Sequence, residues 1–255
     1  MIHDFLKVQS SEKIAHTIFL LRLQSAEIAS TAKPGQFLNI RIDSGSIQPL
    51  LRRPFSISRI EDDTIELLIG IAGQGTAKLS EKKAGDIVDV IGPLGNSFRI
   101  ESGHTTALLV AGGVGIAPFP FLSHELQNRG KKVAVFAGFR SASFVYTRYL
   151  DPVFIATEDG SQGRKGTVID LLQEYVRMKP AGEAKIFACG PTAMLRALTE
   201  FARREAICCE MSLEGDMACG VGLCQGCPVE RIDGNPKFAL TCKDGPNFFS
   251  SDIRL

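Results

Sequence analysis

Apolar and polar positions follow two rhythms along this chain, and the change comes near residue 105. Before it, the runs IAHTIFLLRLQ (14–24), QFLNIRI (36–42), FSISRI (55–60), TIELLIGI (64–71) and DIVDVIG (86–92) are short and rich in β-branched residues. Turn signals part them: Lys33-Pro34-Gly35, Glu61-Asp62-Asp63 and Ala84-Gly85-Asp86. Many short strands in so little chain predict a closed or nearly closed antiparallel β-barrel over 1–100.

After Thr105 short apolar runs alternate with helical faces. ALLVA (107–111) precedes a glycine loop, and Phe119, Leu122 and Leu126 then recur at i, i+3 and i+7 until Gly130. KVAVFAG (132–138) and PVFIA (152–156) read as strands. Thr167 caps a helix whose apolar face is Val168, Leu171, Leu172, Tyr175 and Val176. KIFACG (185–190) is a strand, and Pro191 opens a helix with Met194, Leu195, Leu198 and Phe201. ICCEMSL (207–213) reads as a last strand, with Cys208 and Cys209 in the core. This alternation predicts a parallel sheet with helices on both faces over 101–212. From Leu213 the periodicity ends, leaving a small glycine- and cysteine-rich module over 213–255.

A chain of 255 residues accommodates two compact domains and such a module. Charge is balanced, 29 Lys+Arg against 28 Asp+Glu, so no basic field draws nucleic acid or an anionic membrane. The opening MIHDFLKVQSSEK lacks the charged-then-apolar order of a secretory signal. Thr105 to Leu122 is uncharged and approaches membrane-span length, but its glycines and prolines fit strand, loop and helix better. A cytoplasmic protein is expected, where clustered thiols more often serve metal or redox chemistry than bridges.

Four of the seven cysteines, Cys219, Cys224, Cys227 and Cys242, stand as C-x4-C-x2-C-x14-C. The first three have the plant-type [2Fe–2S] spacing. Gly220, Gly222 and Gly226 lie between them and let backbone N–H groups approach the sulfurs. Zinc is the competing metal, although its ribbons usually pair two C-x2-C knuckles and only Cys224/Cys227 forms one.

Ala111 to Pro118, AGGVGIAP, lies between a strand and a helix, where free N–H groups favour a pyrophosphate; a tight structural turn is the alternative, and the position between strand and helix favours the nucleotide. Arg52 to Ser58, RRPFSIS, offers a charged fork for phosphate and a polar Ser56, or simply an edge strand with exposed arginines. Gly73 to Thr76, GQGT, is either a second phosphate loop or a turn with a cap. Cys189-Gly190-Pro191 ends a strand at the edge where open α/β sheets bind ligands, though a buried structural cysteine would look the same.

Taken in order, RPFS, GQGT, GPLG, AGGVGIAP, TEDGS, ACGP and the cysteine segment resemble the ferredoxin–NADP reductase superfamily. Within it, MSLEGDMACGVG and CKDGP resemble the electron-transfer subunits of class 1B dihydroorotate dehydrogenases. The resemblance implies that Arg53, Pro54, Phe55 and Ser56 hold FAD, with Leu68, Ile69, Gly70, Gly75 and Thr76 lining its flavin and pyrophosphate. It implies a nicotinamide nucleotide, NAD(H), at Gly112, Gly113, Gly115 and Pro118, at Glu158, Asp159 and Gly160, and at Cys189, Gly190 and Pro191. The four cysteines would carry [2Fe–2S]. Hydride transfer would occur at FAD near Cys189, with no side chain assigned as catalytic.

Phe55 replaces a tyrosine common in the superfamily, Gly70 stands where this subunit often has arginine, and Gln225 and Pro228 also depart from its pattern. Arg140 and Arg164 lie near the nucleotide edge, where either would meet a 2′-phosphate, yet the resemblance favours NAD. It further implies a catalytic FMN-containing dihydroorotate dehydrogenase subunit as partner, in a heterotetramer of two plus two, with electrons passing through [2Fe–2S] and FAD to NAD⁺. The small flavin subunit of an NADH-dependent ferredoxin:NADP⁺ oxidoreductase, hydrogenase or sulfide dehydrogenase would share the same three modules. A cluster-based sensor would not need two nucleotide sites.

Overall fold

The computed structural model describes residues 1–42, 48–101, 103–178 and 182–255. Its first sheet contains β1 (Ile2–Ala15), β2 (Ile18–Gln24), β3 (Phe37–Arg41), β4 (Arg53–Ser56), β5 (Arg59–Glu61), β6 (Thr64–Gly70) and β7 (Ile87–Leu94). All pairings are antiparallel, in the order β4-β3-β7-β1-β2-β6-β5. The two edges, β4 and β5, are separated in the chain only by Ile57 and Ser58. Ile57 N–H donates to Gln36 O (3.0 Å) and Ser58 N–H to Glu66 O (2.8 Å), so the sheet must curl until its edges nearly meet. Leu6, Val8, Phe19, Leu21, Leu38, Ile40, Leu67 and Ile69 fill the interior.

One local expectation is corrected here. The run 14–24 is not one strand: Thr17, at φ 56, makes a tight hairpin between β1 and β2. The N-terminal strand β1 carries no apolar run, because His3, Asp4, Phe5 and Lys7 face outward while only Leu6 and Val8 enter the core. A short helix unmarked by periodicity, α1 (Ala26–Thr31), follows Ser25, whose hydroxyl accepts from Ile28 N–H. A second, α2 (Gln74–Ser80), lies before β7.

The second sheet contains β8 (Thr106–Gly112), β9 (Lys132–Phe139), β10 (Val153–Thr157), β11 (Arg164–Lys165), β12 (Ala184–Cys189) and β13 (Cys208–Ser212), all parallel. Helix α3 (Phe119–Asn128) covers one face; α4 (Val168–Met178) and α5 (Thr192–Arg204) cover the other. The predicted helical faces are the packed ones: Phe119, Leu122, Leu126, Leu172 and Leu198 are wholly buried. The α3 face is shared with Ile18, Leu20 and Leu68 of the barrel, so the two sheets sit on one core. Cys208 is exposed, not in the core as expected, because alternation along β13 turns Cys209 inward and Cys208 out.

The last forty residues form the small antiparallel sheet of β14 (Pro228–Arg231), β15 (Phe238–Leu240) and β17 (Ile253–Arg254). They also return β16 (Asn247–Phe249) to the second sheet, where it pairs antiparallel with β13. A buried ion pair marks this junction. Lys185 Nζ lies 2.7 Å from Glu210 Oε2 and 2.7 Å from Arg99 O, with the two side chains 1% and 0% exposed. Arg99 N–H also donates to Glu210, so the chain leaving the barrel, β12 and β13 meet at one carboxylate. Removing one partner would strand a charge in the core. Asn96 and Asn247 exchange bonds across the next seam, from Asn247 Nδ2 to Asn96 O (2.9 Å) and from Asn96 Nδ2 to Asn247 O (2.8 Å).

Candidate cofactor cavity and cysteine site

The three units enclose a cleft of about 930 Å³, at the upper end of the ~300–1,000 Å³ typical of ligand sites. From the barrel, Arg53, Pro54, Phe55 and Ser56 of β4 form one wall and Leu68, Ile69 and Gly70 of β6 another, with Thr76 at the start of α2. From the second sheet come Val114, Pro118, Cys189, Gly190 and Pro191. From the last segment come Glu214, Met217, Gly226 and Cys227.

The two arginines of RRPFSIS separate cleanly. Both Arg52 Nη2 contacts to Asp89 are 2.7 Å, so this guanidinium is committed inside the barrel wall. Asp89 is only 8% exposed; burial opposes its charge, but Arg52 and His3 bind it and hold its pKa below the ordinary carboxylate value. Among the described residues, Arg53 bonds only the nearby carbonyls of Leu51 and Arg52, and it borders the cleft. Thr76 Oγ1 accepts from Ala72 and Gly73 N–H and so closes the start of α2, the capping role open to GQGT. Gly75 is set back, its α-carbon facing Pro49 and Ile42. A side chain at Gly70 would meet Val114 at ordinary distance, 3.7–4.0 Å.

In AGGVGIAP a 3₁₀ turn, Gly113–Ile116, intervenes before the helix. Gly112 packs against Pro191 and Met194, and Gly115 against the backbone of Cys189 and Gly190; neither has room for a side chain. Gly113 differs: its φ is +55 and nothing lies within 4 Å of where a Cβ would stand. One first-turn N–H of α3, that of Phe121, is taken by Ser58 O of the barrel at 2.7 Å. An anion placed at this loop would therefore meet the turn around Gly113 more than the helix end.

Cys189 ends β12, 3% exposed, at the cleft wall. Burial pushes its thiol pKa well up, so it presents a neutral surface. Glu158, Asp159 and Gly160 lie outside the cleft, on the exposed loop after β10. The Asp159 carboxylate accepts from Ser161 Oγ (2.6 Å) and N–H (2.9 Å), which hold its pKa below the ordinary range. Arg164 is bound bidentately by Glu174 at 2.6 and 2.9 Å, whereas Arg140, beyond β9, is exposed. Sequence reasoning did not single out Glu214, which lines the cleft; the residue is exposed at the surface, yet desolvation by the surrounding protein raises its pKa. MSLEGDM signalled kinship there, but no periodicity marked a cavity wall.

The four cysteines form two pairs. Cys227 and Cys242 are buried, with sulfurs 3.3 Å apart, far beyond the ~2.05 Å of a disulfide. Cys224 N–H donates to Cys219 Sγ at 3.4 Å, beside Val221 N–H at 3.5 Å. Burial opposes a Cys219 thiolate, but these N–H groups outweigh it and hold the pKa at about 6. Cys242 is pushed up to about 12 by burial and by its bond with Cys227, although Gly222 N–H reaches its sulfur at 3.2 Å. Among the described residues, no three His, Cys, Asp or Glu side chains converge on one ion-sized point. Two sulfur pairs fed by backbone donors suit a two-iron core, with two ligands on each iron, better than a single tetrahedral ion. Gln225 fits the loop at φ 58 with its amide on Gly222 O (2.9 Å), and Pro228 begins β14. Cys227 also lines the cofactor cleft, so the cysteine site and the cleft share a wall.

Family models match two stretches of this chain: the iron–sulfur cluster binding domain of dihydroorotate dehydrogenase B over residues 214–254, and the oxidoreductase NAD-binding domain over 109–200. The chain is 36% identical to the dihydroorotate dehydrogenase B (NAD(+)) electron transfer subunit of Caldanaerobacter subterraneus subsp. tengcongensis, over 97% of this chain and 96% of that protein. It is 37% identical to the subunit of the same name from Bacillus velezensis, over 98% of each. Among solved structures, an NADH-dependent reduced ferredoxin–NADP oxidoreductase superposes with a TM-score of 0.87 at 29% identity, covering 98% of this chain and 89% of that one. The ferredoxin reductase of carbazole 1,9a-dioxygenase shares the fold, with a TM-score of 0.68 at 20% identity over 81% of this chain and 66% of that one.

Proposed function

Because this chain belongs to the family of dihydroorotate dehydrogenase B (NAD(+)) electron transfer subunits, we propose that it links dihydroorotate oxidation on a catalytic partner subunit to NAD(H). The observation that carries this reading is the shared wall: Cys227 belongs at once to the sulfur site and to the cleft between barrel and nucleotide sheet.

When bound, FAD supplies two-electron exchange with a nicotinamide, and [2Fe–2S] supplies one-electron exchange. The residues hold and shield these groups. Arg53, with Arg52 committed to Asp89, supplies the cationic fork for the FAD phosphates. Pro54, Phe55, Ser56, Leu68, Ile69 and Gly70 wall the flavin, and Phe55 offers it an apolar face without a hydroxyl. The turn at Gly113 supplies the nucleotide phosphate seat. Cys189, neutral and dry, packs at the nicotinamide end without exchanging a proton. Backbone N–H groups at Cys219 and Cys242 offset the negative charge of ligating sulfurs.

Arg164, tied to Glu174, is withdrawn from any 2′-phosphate, which supports NAD over NADP. None of the helices among the described residues is long and apolar enough to cross a membrane. The cytoplasm is the compartment proposed, in keeping with seven free cysteines. The similarity to the NADH-dependent ferredoxin–NADP oxidoreductase supports a second reading in which the chain serves a different partner.

A coupled assay separates the two. Mixed with the FMN-containing dihydroorotate dehydrogenase subunit of its own organism, the chain should confer dihydroorotate-dependent NAD⁺ reduction that neither protein shows alone. Failure to do so, with NADPH formed from reduced ferredoxin instead, would favour the second reading.

A further inference from the structure

Strand β3 presents two faces. Leu38 and Ile40 point into the barrel core, and Phe37 and Asn39 point the other way, yet both are buried, at 3% and 0% exposure. What covers them is the cysteine segment: Phe37 packs with Met217, Cys227, Leu240 and Cys242. Asn39 lies against Gly220, and its Nδ2 donates to Cys219 O at 3.1 Å. The carbonyl can only accept, so the amide nitrogen must be the atom that faces it.

This amide is an odd choice for a buried seam. Its Oδ1 has no hydrogen-bond partner among the described residues, a cost that leucine of similar shape would avoid. Its one satisfied bond goes to the first cysteine loop. There the peptide groups sort by direction: the Cys219 carbonyl turns outward to the barrel, while the N–H groups of Val221, Gly222 and Cys224 turn inward to sulfur. Gly220, at φ +72, lets the loop lie flat on the amide; a Cβ there would stand 3.1 Å from Asn39 Cγ and closer still to Nδ2. Asn39 is also paired in register with Pro54 on β4, beside Arg53 at the cleft. Asn39 thus joins β3, the neighbour of the cleft strand β4, to the loop of the first cysteine.

We propose that Asn39 is a positioning residue that holds the Cys219–Gly220 peptide turned away from the sulfurs, and so sets the reduction potential of the metal centre the four cysteines hold. The inference rests on reading that centre as [2Fe–2S]. Hydrogen bonds to ligating sulfurs stabilise the more negative, reduced state. With the carbonyl released, its dipole is free to swing inward and the N–H···S bonds lengthen. The reduced state loses support and the potential falls.

The test is an EPR-monitored redox titration of the purified holoprotein, wild type beside Asn39→Leu and the smaller Asn39→Ala. Both variants should keep FAD, iron and NADH-dependent dye reduction, because no group at the nicotinamide end is touched. Their centre should titrate lower, by about tenfold in the one-electron equilibrium, or about 59 mV. An unchanged potential in variants that retain iron would overturn the assignment. So would loss of iron from both, since Asn39 would then retain the metal instead of tuning it. A wild-type protein without the iron–sulfur signal would instead sink the cluster reading beneath it.

Discussion

Replacing Cys219 by serine should abolish dihydroorotate-dependent NAD⁺ reduction while leaving NADH-dependent reduction of a small dye largely intact. The physical reason lies in how the two sites adjoin. The side chains that wall the spaces proposed for flavin and nicotinamide come from β4, β6, the Gly113 turn and the end of β12, and among the described residues none of them hydrogen-bonds Cys219. Cys219 belongs to the other side of the shared wall, where its sulfur collects N–H groups from Val221 and Cys224. Serine is a hard, weakly acidic replacement for a thiolate ligand, so iron should be lost. Altering groups around a metal already costs ~10–100-fold, and loss of a ligand should lower coupled turnover by a factor on the order of 100 or more. Iron and flavin content, dye reduction and coupled turnover are read on one preparation. Full coupled turnover in iron-free protein would mean that the partner reaches the flavin without the cysteine site.

The second large effect separates two glycines of one loop. At Gly115 a Cβ would stand 2.5 Å from Cys189 C and 2.7 Å from Gly190 Cα, with the Cys189 oxygen nearer still. All three are backbone atoms and cannot rotate away. Gly115→Ala should therefore force the ends of β8 and β12 apart and destabilise the protein by ~1–3 kcal/mol, lowering Tm by roughly 2–4 °C for each. Gly113 has open space at its Cβ position and a left-handed φ of +55. Gly113→Ala should cost ~1–2 kcal/mol of backbone strain and keep both prosthetic groups, yet raise KM for NADH by filling the phosphate seat. Thermal melts and NADH kinetics decide it. Equal Tm losses with unchanged KM in both variants would show that the loop is only a turn.

The sequence announced the parts of this molecule that obey a period and the parts whose chemistry depends on spacing. The helical faces of α3, α4 and α5 were readable because one side of each is buried against a sheet. The cysteine spacing survives folding as two sulfur pairs, since ligands must return to one place whatever the loop does. The polar strand β1 was illegible, because a barrel strand with one wet face and two buried residues looks like loop. The return of β16 to the second sheet was equally hidden, since a three-residue strand carries too little pattern to register. Arg52 and Arg53 are indistinguishable as neighbours in sequence; only Asp89, thirty-seven residues away from Arg52, reveals which one is committed. Glu214 and Asn39 were missed for the same reason, because each acquires its setting from segments distant in the chain.

That one chain joins a nicotinamide–flavin cleft to a two-iron centre across the wall at Cys227 is tested on anaerobically purified protein, assayed for iron, zinc and flavin and then examined by EPR after NADH is added. About two iron and one FAD per chain, with a reduced [2Fe–2S] signal appearing on NADH addition and absent from the Cys219→Ser protein, is the result this structure predicts. Stoichiometric zinc, or flavin bleached by NADH with bound iron that stays oxidised, would contradict it.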